Sequence, residues 1–444
     1  MKKLTMSIIV LTIAGIMAFT PMWGEAQNIY KKEVLPNGLT VLIKSNPDSK
    51  VFAACVLSKG RSVIEPPMKT GISEFVNRML TKGTENYSGA ELSRKMDMHG
   101  MQLTLYDNPY IPYDDRYTTR SFAFIKMETI DEYADGAIEL LAEIIRRPAF
   151  PENKIEEVRG QIMGILGMNS GSTYKNARDL FYKELFHDTP YEKTILGNPR
   201  TIGMINRDDL VQHHKKMYAP ENMVIAVVTN LPTERCYEMI STAFSDMEKS
   251  GFDYPEYPKP SPVKATVKSH QQMDKDQVYI YMGNITPGIA DPDFPALQIA
   301  SAALSTRLKL ELREEEGLAY SVGSGMGAYP GFGMFLCTMG TGYKNLDKAL
   351  NGIKGEISKI RAEGITSEER INTTNNLWGS MLTRNLTRAN QAYYMAVYEY
   401  YGAGYQHWDE LINDLRAVTT REVQLVAEKY LPEDNYVLTT VGKK

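Results

Sequence analysis

The stretch from Gly71 to Thr84 combines an apolar stripe with polar residues whose spacing could bring them together in a functional site. Glu74 and Arg78 are four residues apart and Asn77 directly precedes Arg78, so a helix would place the three side chains on one face. The opposite face would be apolar, because hydrophobic residues recur there at helical spacing. These residues are Ile72, Phe75, Val76, Met79 and Leu80. The stretch therefore predicts a buried-face helix that gathers three polar side chains.

A metal site is one chemistry that side chains at this spacing can supply, but these residue types do not suit it. The guanidinium of Arg78 repels a divalent cation and has no lone pair to donate. The carboxamide of Asn77 cannot accept a proton as a general base. The simplest arrangement is an ion pair between Glu74 and Arg78 across one helical turn.

The residues that frame this stretch resemble the zinc peptidases of family M16, the pitrilysin, insulin-degrading and mitochondrial-processing group. The family pattern is Gly-Leu-Ala-His-Phe-Leu-Glu-His-Met-Leu-Phe-Lys-Gly-Thr, in which two His bind zinc and the Glu activates the metal-bound water. This chain has Glu74, Asn77 and Arg78 in those places. The family's third ligand, a Glu, would fall near Gly164, where no acid stands. The resemblance implies a member that binds no zinc and cannot activate water by itself.

A second group of candidate residues lies between Leu312 and Tyr320, where Arg313 and Tyr320 are seven residues apart. This segment resembles the second-domain signature of the same family, whose Arg and Tyr donate hydrogen bonds to the substrate carbonyl that becomes an oxyanion. The resemblance implies this catalytic role for Arg313 and Tyr320, in trans with a partner subunit. An architectural role stays open as the alternative, because Arg is favoured at a helix C-terminus and Tyr is an ordinary strand residue.

A strand predicted near Gly100 to Tyr106 would, by the resemblance, line the cleft and bind a substrate backbone by strand addition. The family carries an Asn-Ala pair there, and this chain has Thr104 and Leu105. Backbone pairing would survive that replacement. We therefore predict that Thr104 and Leu105 contact an extended peptide.

Histidine offers no alternative metal site in the sequence. The six His include no pair at the four-residue spacing of a metal-binding helix. His213 and His214 are adjacent, and Lys215 and Lys216 follow them. This pattern predicts a solvated helix face.

The composition is that of a folded protein with two sizeable cores. Of the 444 residues 43% are hydrophobic and 23% charged, and the formal net charge is −4, so nothing indicates a nucleic-acid partner. The three cysteines are far apart and lie in apolar or amphipathic stretches, which predicts small buried side chains and at most one disulfide. They are Cys55, Cys236 and Cys337.

Residues 1–26 are typical of a secretory signal peptide. Lys2 and Lys3 precede an apolar run, and Gly24 and Ala26 provide a small-residue cleavage site. An uncleaved anchor is the alternative, because the run is nearly long enough to cross a bilayer. We predict export, most simply to a bacterial periplasm, and no membrane span after cleavage.

The order of the predicted elements occurs twice along the chain. Residues 27–248 combine strands at both ends with a helix-rich middle, residues 249–263 are dense in Pro and predict a linker, and residues 264–444 repeat the order. The predicted fold class is α+β. With the resemblance, we expect two tandem homologous M16-type domains, each a mostly antiparallel sheet packed with helices, which form half of a clamshell.

These observations favour the non-metal-binding subunit of a two-component zinc peptidase. A partner with an intact His-x-x-Glu-His motif would supply zinc and the general base, so this chain would need no cofactor of its own. The substrates would be extended peptides. The alternative is a non-catalytic peptide-binding or structural paralogue, which the changed strand at Thr104 and Leu105 favours. A self-sufficient peptidase would need a metal site that the sequence does not offer.

Overall fold

The computed structural model describes residues 29–110 and 117–443. The signal peptide predicted over residues 1–26 lies outside these described residues. Helices and strands alternate in two α+β units, each built on one sheet, which confirms the predicted fold class. Among the helices that the structure describes, none is long and apolar enough to pass through a bilayer.

The strands of the first sheet are β1 (Tyr30–Val34), β2 (Thr40–Ser45), β3 (Val51–Lys59), β4 (Gln102–Thr104), β5 (Phe122–Ile130) and β6 (Met223–Thr229). The strands of the second sheet are β7 (Val267–Gln272), β8 (Gln277–Thr286), β9 (Ala319–Tyr329), β10 (Phe332–Gly342) and β11 (Val437–Gly442). The first sheet has the strand order β1-β2-β6-β3-β5-β4, and the second has the order β7-β11-β8-β10-β9.

The two sheets share one pairing pattern. In the first, β2 runs parallel to β6, and β3, β5 and β4 follow in antiparallel order. In the second, β7 runs parallel to β11, and β8, β10 and β9 follow in antiparallel order. This recurrence agrees with the expected tandem units, whereas the boundaries at 27–248, 249–263 and 264–444 stay a prediction.

The helices surround the two sheets. In the first half they are α1 (Arg61–Ile64), α2 (Ile72–Met79), α3 (Gly89–Met98), α4 (Ala134–Arg146), α5 (Glu152–Ser170), α6 (Thr173–Leu185), α7 (Pro199–Met204), α8 (Arg207–Met217) and α9 (Thr233–Phe244). In the second half they are α10 (Phe294–Leu308), α11 (Leu346–Glu363), α12 (Ser367–Arg384), α13 (Arg388–Tyr400), α14 (His407–Ala417) and α15 (Thr420–Tyr430). A π-helical segment, Lys309–Glu315, continues α10.

Each half of the chain covers one sheet face of the other half with a helix. Helix α13 packs Ala392 and Tyr393 against the first sheet, where Phe124 belongs to the same buried cluster. Helix α6 packs Phe181 against the second sheet, where Tyr281 belongs to the corresponding cluster. Because both faces are covered, strands such as β3 and β6 are buried at nearly every position instead of at alternate ones.

The predicted linker, residues 249–263, contains no helix or strand but is held at several points. The Tyr254 hydroxyl donates to the Lys216 carbonyl at 2.6 Å. The Val263 N–H donates to the Asn284 side-chain oxygen at 2.9 Å. The linker therefore ties both halves together.

The exchange of helices predicts that the two halves unfold together. Replacing the fully buried Phe181 in the Phe181→Ala variant removes packing between α6 and the second sheet, and we expect the free energy of unfolding to fall by about 3–5 kcal/mol. Urea unfolding followed by circular dichroism measures this loss. The Leu386→Ala variant is the control, since Leu386 is 73% exposed and should leave the curve unchanged. Two separate transitions in the wild type would contradict the coupling.

Candidate functional site

Helix α2 begins at a position that requires glycine. A buried carboxylate accepts hydrogen bonds from the N–H groups at this helix start. Gly71 has a φ of +92°, and a Cβ atom there would lie 2.6 Å from the Leu196 carbonyl oxygen. The buried Glu65 carboxylate accepts hydrogen bonds from the Gly71 N–H at 3.0 Å and the Ser73 N–H at 3.1 Å. Burial raises the pKa of Glu65 above its usual value. Neither the close approach nor the Glu65 contacts were expected from the sequence.

The predicted ion pair between Glu74 and Arg78 is present, and a second arginine completes it. Glu74 Oε1 accepts from Arg78 Nε at 2.9 Å, and Glu74 Oε2 accepts from Arg61 Nη2 at 2.6 Å. All three side chains are buried. Burial alone would raise the pKa of Glu74, but the charges and hydrogen bonds of Arg78 and Arg61 outweigh it, so this pKa lies below its usual value.

Asn77 has its carboxamide fully engaged between neighbouring elements. Its Nδ2 donates to the Leu105 carbonyl at 2.9 Å, and its Oδ1 accepts from the Tyr218 hydroxyl at 2.6 Å. These bonds fasten α2 to the segment that follows β4 and to the end of α8. Asn77 is therefore a buried structural link.

The residues at the zinc-motif positions do not fit a zinc ion. Glu74 is surrounded by two guanidinium groups, and the oxygen of Asn77 already has a hydrogen-bond donor. A divalent cation there would be repelled by both arginines. Over residues 29–110 and 117–443, no cluster of three or more His, Cys, Asp or Glu side chains could hold a metal ion.

The sequence predicts the third motif position near Gly164, on α5. Gly164, the predicted position, is exposed on α5, and a Cβ atom there would contact nothing within 4 Å. Its neighbour Ile165 lines the cavity beside Glu74 and Arg78. Successive helical residues point about 100° apart, so one step along α5 changes the face. Neither residue carries a carboxylate.

A cavity of about 540 Å³ opens beside α2 at the junction of the two halves. Its walls come from α2, α5, α6 and the second sheet. Residues that line it include Glu74, Arg78, Asp107, Arg120, Ile165, Asn169, Tyr174, Lys175, Arg178, Tyr182, Tyr279 and Tyr281. The cavity is therefore rich in cationic and aromatic side chains.

Arg313 and Tyr320 are not part of this cavity lining. Arg313 is 51% exposed in the π-helical segment and faces the neighbouring Glu314 at 3.4 Å. Gly317, with a φ of +61°, ends that segment, so Tyr320 falls at the start of edge strand β9 and is 86% exposed. The structure does not bring this pair to the motif residues of the same chain.

Thr104 and Leu105 lie at the end of β4, which is an edge strand of the first sheet among the described residues. Thr104 is exposed and pairs with Lys126 of β5, which is the neighbour of β4 within the described residues. Leu105 is buried and accepts the Asn77 hydrogen bond through its carbonyl. The opposite edge of β4 has no strand partner in the described part of the chain.

The prediction that His213 and His214 form a solvated face is wrong. His213 Nε2 is 2.9 Å from the Ser73 hydroxyl, and His214 Nε2 is 2.8 Å from the Ile145 carbonyl oxygen. Burial lowers the pKa of His213 to about 3 and that of His214 to about 4. Helix α8 packs against α2 and the end of α4, which buries both histidines. Lys215 and Lys216, which follow in the sequence, had indicated exposure to solvent instead.

The expected buried states of the cysteines are confirmed. Cys55, Cys236 and Cys337 are buried and free. Burial raises the pKa of Cys55 and Cys236 to about 12. These thiols therefore act as small apolar side chains.

Models of two related families match the sequence. Residues 40–199 match "Insulinase (Peptidase family M16)", and residues 204–377 match "Peptidase M16 inactive domain". The first match lies within the first α+β unit, and the second runs from the end of α7 in the first unit to α12 in the second. The chain belongs to peptidase family M16.

Individual relatives agree with this assignment. The uncharacterized zinc protease YmxG of Bacillus subtilis is 25% identical over 420 residues, which cover 93% of this chain and 98% of that protein. The crystal structure of a peptidase M16 inactive domain from Pseudomonas fluorescens has a TM-score of 0.84 at 20% identity, and the match covers 94% of this chain and 98% of that chain. The periplasmic protease PqqL of Escherichia coli has a TM-score of 0.77 at 15% identity, covering 100% of this chain and 49% of that chain. The scaffold is thus peptidase-like.

Removing the central carboxylate tests the buried ion-pair cluster. In the Glu74→Gln variant two buried guanidinium groups lose their counter-charge, and we expect the free energy of unfolding to fall by about 3–5 kcal/mol. Glu157→Gln is the matched control, because Glu157 contacts Lys82 and Lys154 at the surface and its removal should leave the urea midpoint unchanged. Equal midpoints for the two variants would contradict the structural role of Glu74.

The buried histidines predict a loss of stability in acid. Below about pH 6.5 the unfolded chain binds protons at His213, while the folded chain does so only near pH 3, so acid favours unfolding. In the His213→Gln variant this contribution is absent, and its stability relative to wild type should rise by about 1.4 kcal/mol per pH unit between pH 6 and 4. The control is His187→Gln, at an exposed position. Parallel stability curves for wild type and His213→Gln would overturn the assignment.

Proposed function

We propose that this chain is a catalytically incomplete subunit of a two-component M16 peptidase, completed by a partner chain with an intact His-x-x-Glu-His motif. The observation that carries the proposal is the buried cluster of Arg61, Glu74 and Arg78 at the motif positions. Because guanidinium groups exclude a divalent cation there, peptide hydrolysis has to draw zinc and general base from the partner. This chain holds no cofactor of its own.

Arg313 and Tyr320 act in trans in this proposal. Their guanidinium and hydroxyl groups donate hydrogen bonds to the oxyanion that forms on the substrate carbonyl in the transition state. Their exposure supports the role, since both can meet a group on another chain. The contact with Glu314 is an exposed ion pair and holds Arg313 only weakly.

The substrates are extended peptides. The edge of β4 that has no strand partner in the described residues supports this part of the proposal, because an extended backbone can pair there whatever its side chains. Thr104 and Leu105 lie at the end of that edge. The chain forms half of a clamshell, and the two subunits close a chamber that admits unstructured segments.

The complex works outside the cytoplasm in this proposal, most simply in a bacterial periplasm. The signal-peptide pattern in residues 1–26 supports export. The similar fold of PqqL, a periplasmic protease, agrees with this location.

A reconstitution assay tests the proposal. We expect the purified chain without residues 1–26 to be inactive, and its mixture with an intact-motif M16 homologue from the same organism to cleave peptides until zinc is chelated. In the mixture, Arg313→Ala should lower kcat by about 10²- to 10³-fold, because it removes a donor to the oxyanion. Tyr320→Phe, which removes the hydroxyl alone, should also lower kcat.

The matched control is Arg421→Ala, which removes an exposed arginine that bonds Gln424 within α15. It should leave kcat unchanged, and size-exclusion chromatography should show equal association for all variants. Cleavage by the isolated chain would contradict the proposal. Peptide binding without cleavage in any mixture would favour the non-catalytic paralogue.

A further inference from the structure

Tyr320 lies at an irregularity in the second sheet. Gly340 of β10 pairs with Ser321 of β9. The next residue of β10, Thr341, pairs with Ala319. Tyr320 therefore has no opposite residue on β10, and β9 contains a β-bulge at this position. A bulge bends the strand and re-aims its side chain. This explains why Tyr320 is largely exposed although both of its neighbours in β9 are only half-exposed.

A buried hydroxyl group holds the backbone just before this bulge. The Thr341 Oγ1 donates to the Leu318 carbonyl at 2.7 Å. Both residues are buried, so the bond is shielded from solvent. A buried carbonyl needs a donor, and here a side chain of the neighbouring strand supplies it. Because Leu318 is two residues before Tyr320, this bond fixes the point from which the bulge departs.

The Leu318 backbone is also held through its N–H group. This N–H donates to the Leu312 carbonyl at 2.8 Å, across the end of the π-helical segment. The Leu312 side chain is fully buried. A Cβ atom at Gly352 of α11 would lie 2.4 Å from the Leu312 Cδ2, so the leucine occupies space that the glycine leaves free. Buried groups therefore fix Leu318 on both sides.

Arg313 and Tyr320 are attached to the two ends of this held backbone. Arg313 directly follows Leu312, and Tyr320 follows Leu318 after one residue. A π-helical turn and a β-bulge each place an extra residue in a regular element, and both are frequent next to functional sites. The two side chains are exposed, whereas the backbone that carries them is fixed. Donor groups on a fixed backbone lose little freedom when they meet a ligand.

We propose that Thr341 is a positioning residue for Tyr320. Its hydroxyl holds the Leu318 carbonyl, which keeps the bulge in place and directs the Tyr320 side chain away from the sheet. The inference rests on the proposed function, in which the Tyr320 hydroxyl donates to the oxyanion. Thr341 itself is buried, so it acts through Tyr320 and contacts no substrate.

Two substitutions at this position test the role of the hydroxyl. Thr341→Val removes the donor and keeps the size of the side chain, whereas Thr341→Ser keeps the donor. In the reconstituted mixture we expect Thr341→Val to lower kcat by about 10-fold with KM unchanged, because a misplaced donor weakens binding of the transition state alone. Thr341→Ser should keep most of the wild-type kcat.

A double substitution separates positioning from a general loss of stability. In the Tyr320→Phe background the hydroxyl that Thr341 positions is absent, so Thr341→Val should lower kcat further by less than about twofold. Thr439→Val is the matched control, since the buried Thr439 hydroxyl also donates to a carbonyl, that of Ala177. Strands β8 and β10 separate its strand, β11, from β9. This variant should leave kcat unchanged in either background.

Hydrogen exchange of the isolated chain, measured by mass spectrometry, gives a readout without hydrolysis. In the wild type the Leu318 N–H should be protected by its bond to Leu312. Thr341→Val should raise its exchange rate by about 10-fold, whereas Thr341→Ser and Thr439→Val should not. The wild-type measurement remains decisive if Thr341→Val does not fold. Exchange of this N–H at the rate of an unstructured peptide would overturn the inference.

An unchanged kcat in Thr341→Val would also overturn it, as would equal losses in Thr341→Val and Thr341→Ser. A full 10-fold loss in the Tyr320→Phe background would do the same. Cleavage that depends on Arg313 but not on Thr341 refutes this inference alone. No cleavage in any mixture refutes the two-component peptidase, and the exchange rate of the Leu318 N–H then decides whether Thr341 holds the bulge.

Discussion

Each sheet of this protein depends on a helix that the other half of the chain supplies. The strands at the centre of both sheets are apolar on both faces, so neither half can remove its own sheet from water. Helix α13 covers the first sheet and helix α6 covers the second, so both apolar faces are buried. This exchange of helices also places α6 between the first half and the second sheet, where the helix forms a wall of the cavity. The cavity is therefore a consequence of the packing that hides the sheets.

At the motif positions the surrounding sequence pattern remains, but two arginines lie against the residue that stands in a ligand position. Gly71 and the apolar positions of α2 resemble the family's sequence pattern, but two guanidinium groups lie against Glu74. A buried ion pair of this kind adds little net stability, because desolvation offsets attraction. Its three members are nevertheless costly to remove one at a time. The arrangement therefore locks this region in one geometry.

Local rules predicted much of this structure, and contacts between distant segments account for the rest. The α+β class and the ion pair of Glu74 with Arg78 follow from periodicity and helical spacing. Arg61 was missed because it reaches Glu74 from another helix, and nothing in its own neighbourhood marks that contact. The lysines after His213 and His214 indicated solvent, whereas the packing of α8 decides their burial. Periodicity also cannot reveal which helix will cover a given sheet.

The helix exchange determines when each sheet can complete its folding during synthesis. The first sheet is complete once β6 has been made, yet its second cover, α13, lies near the end of the chain. During synthesis a long apolar stretch of the first sheet therefore leaves the ribosome before α13 has been made. Such an intermediate is prone to aggregation and is a natural client for holding chaperones.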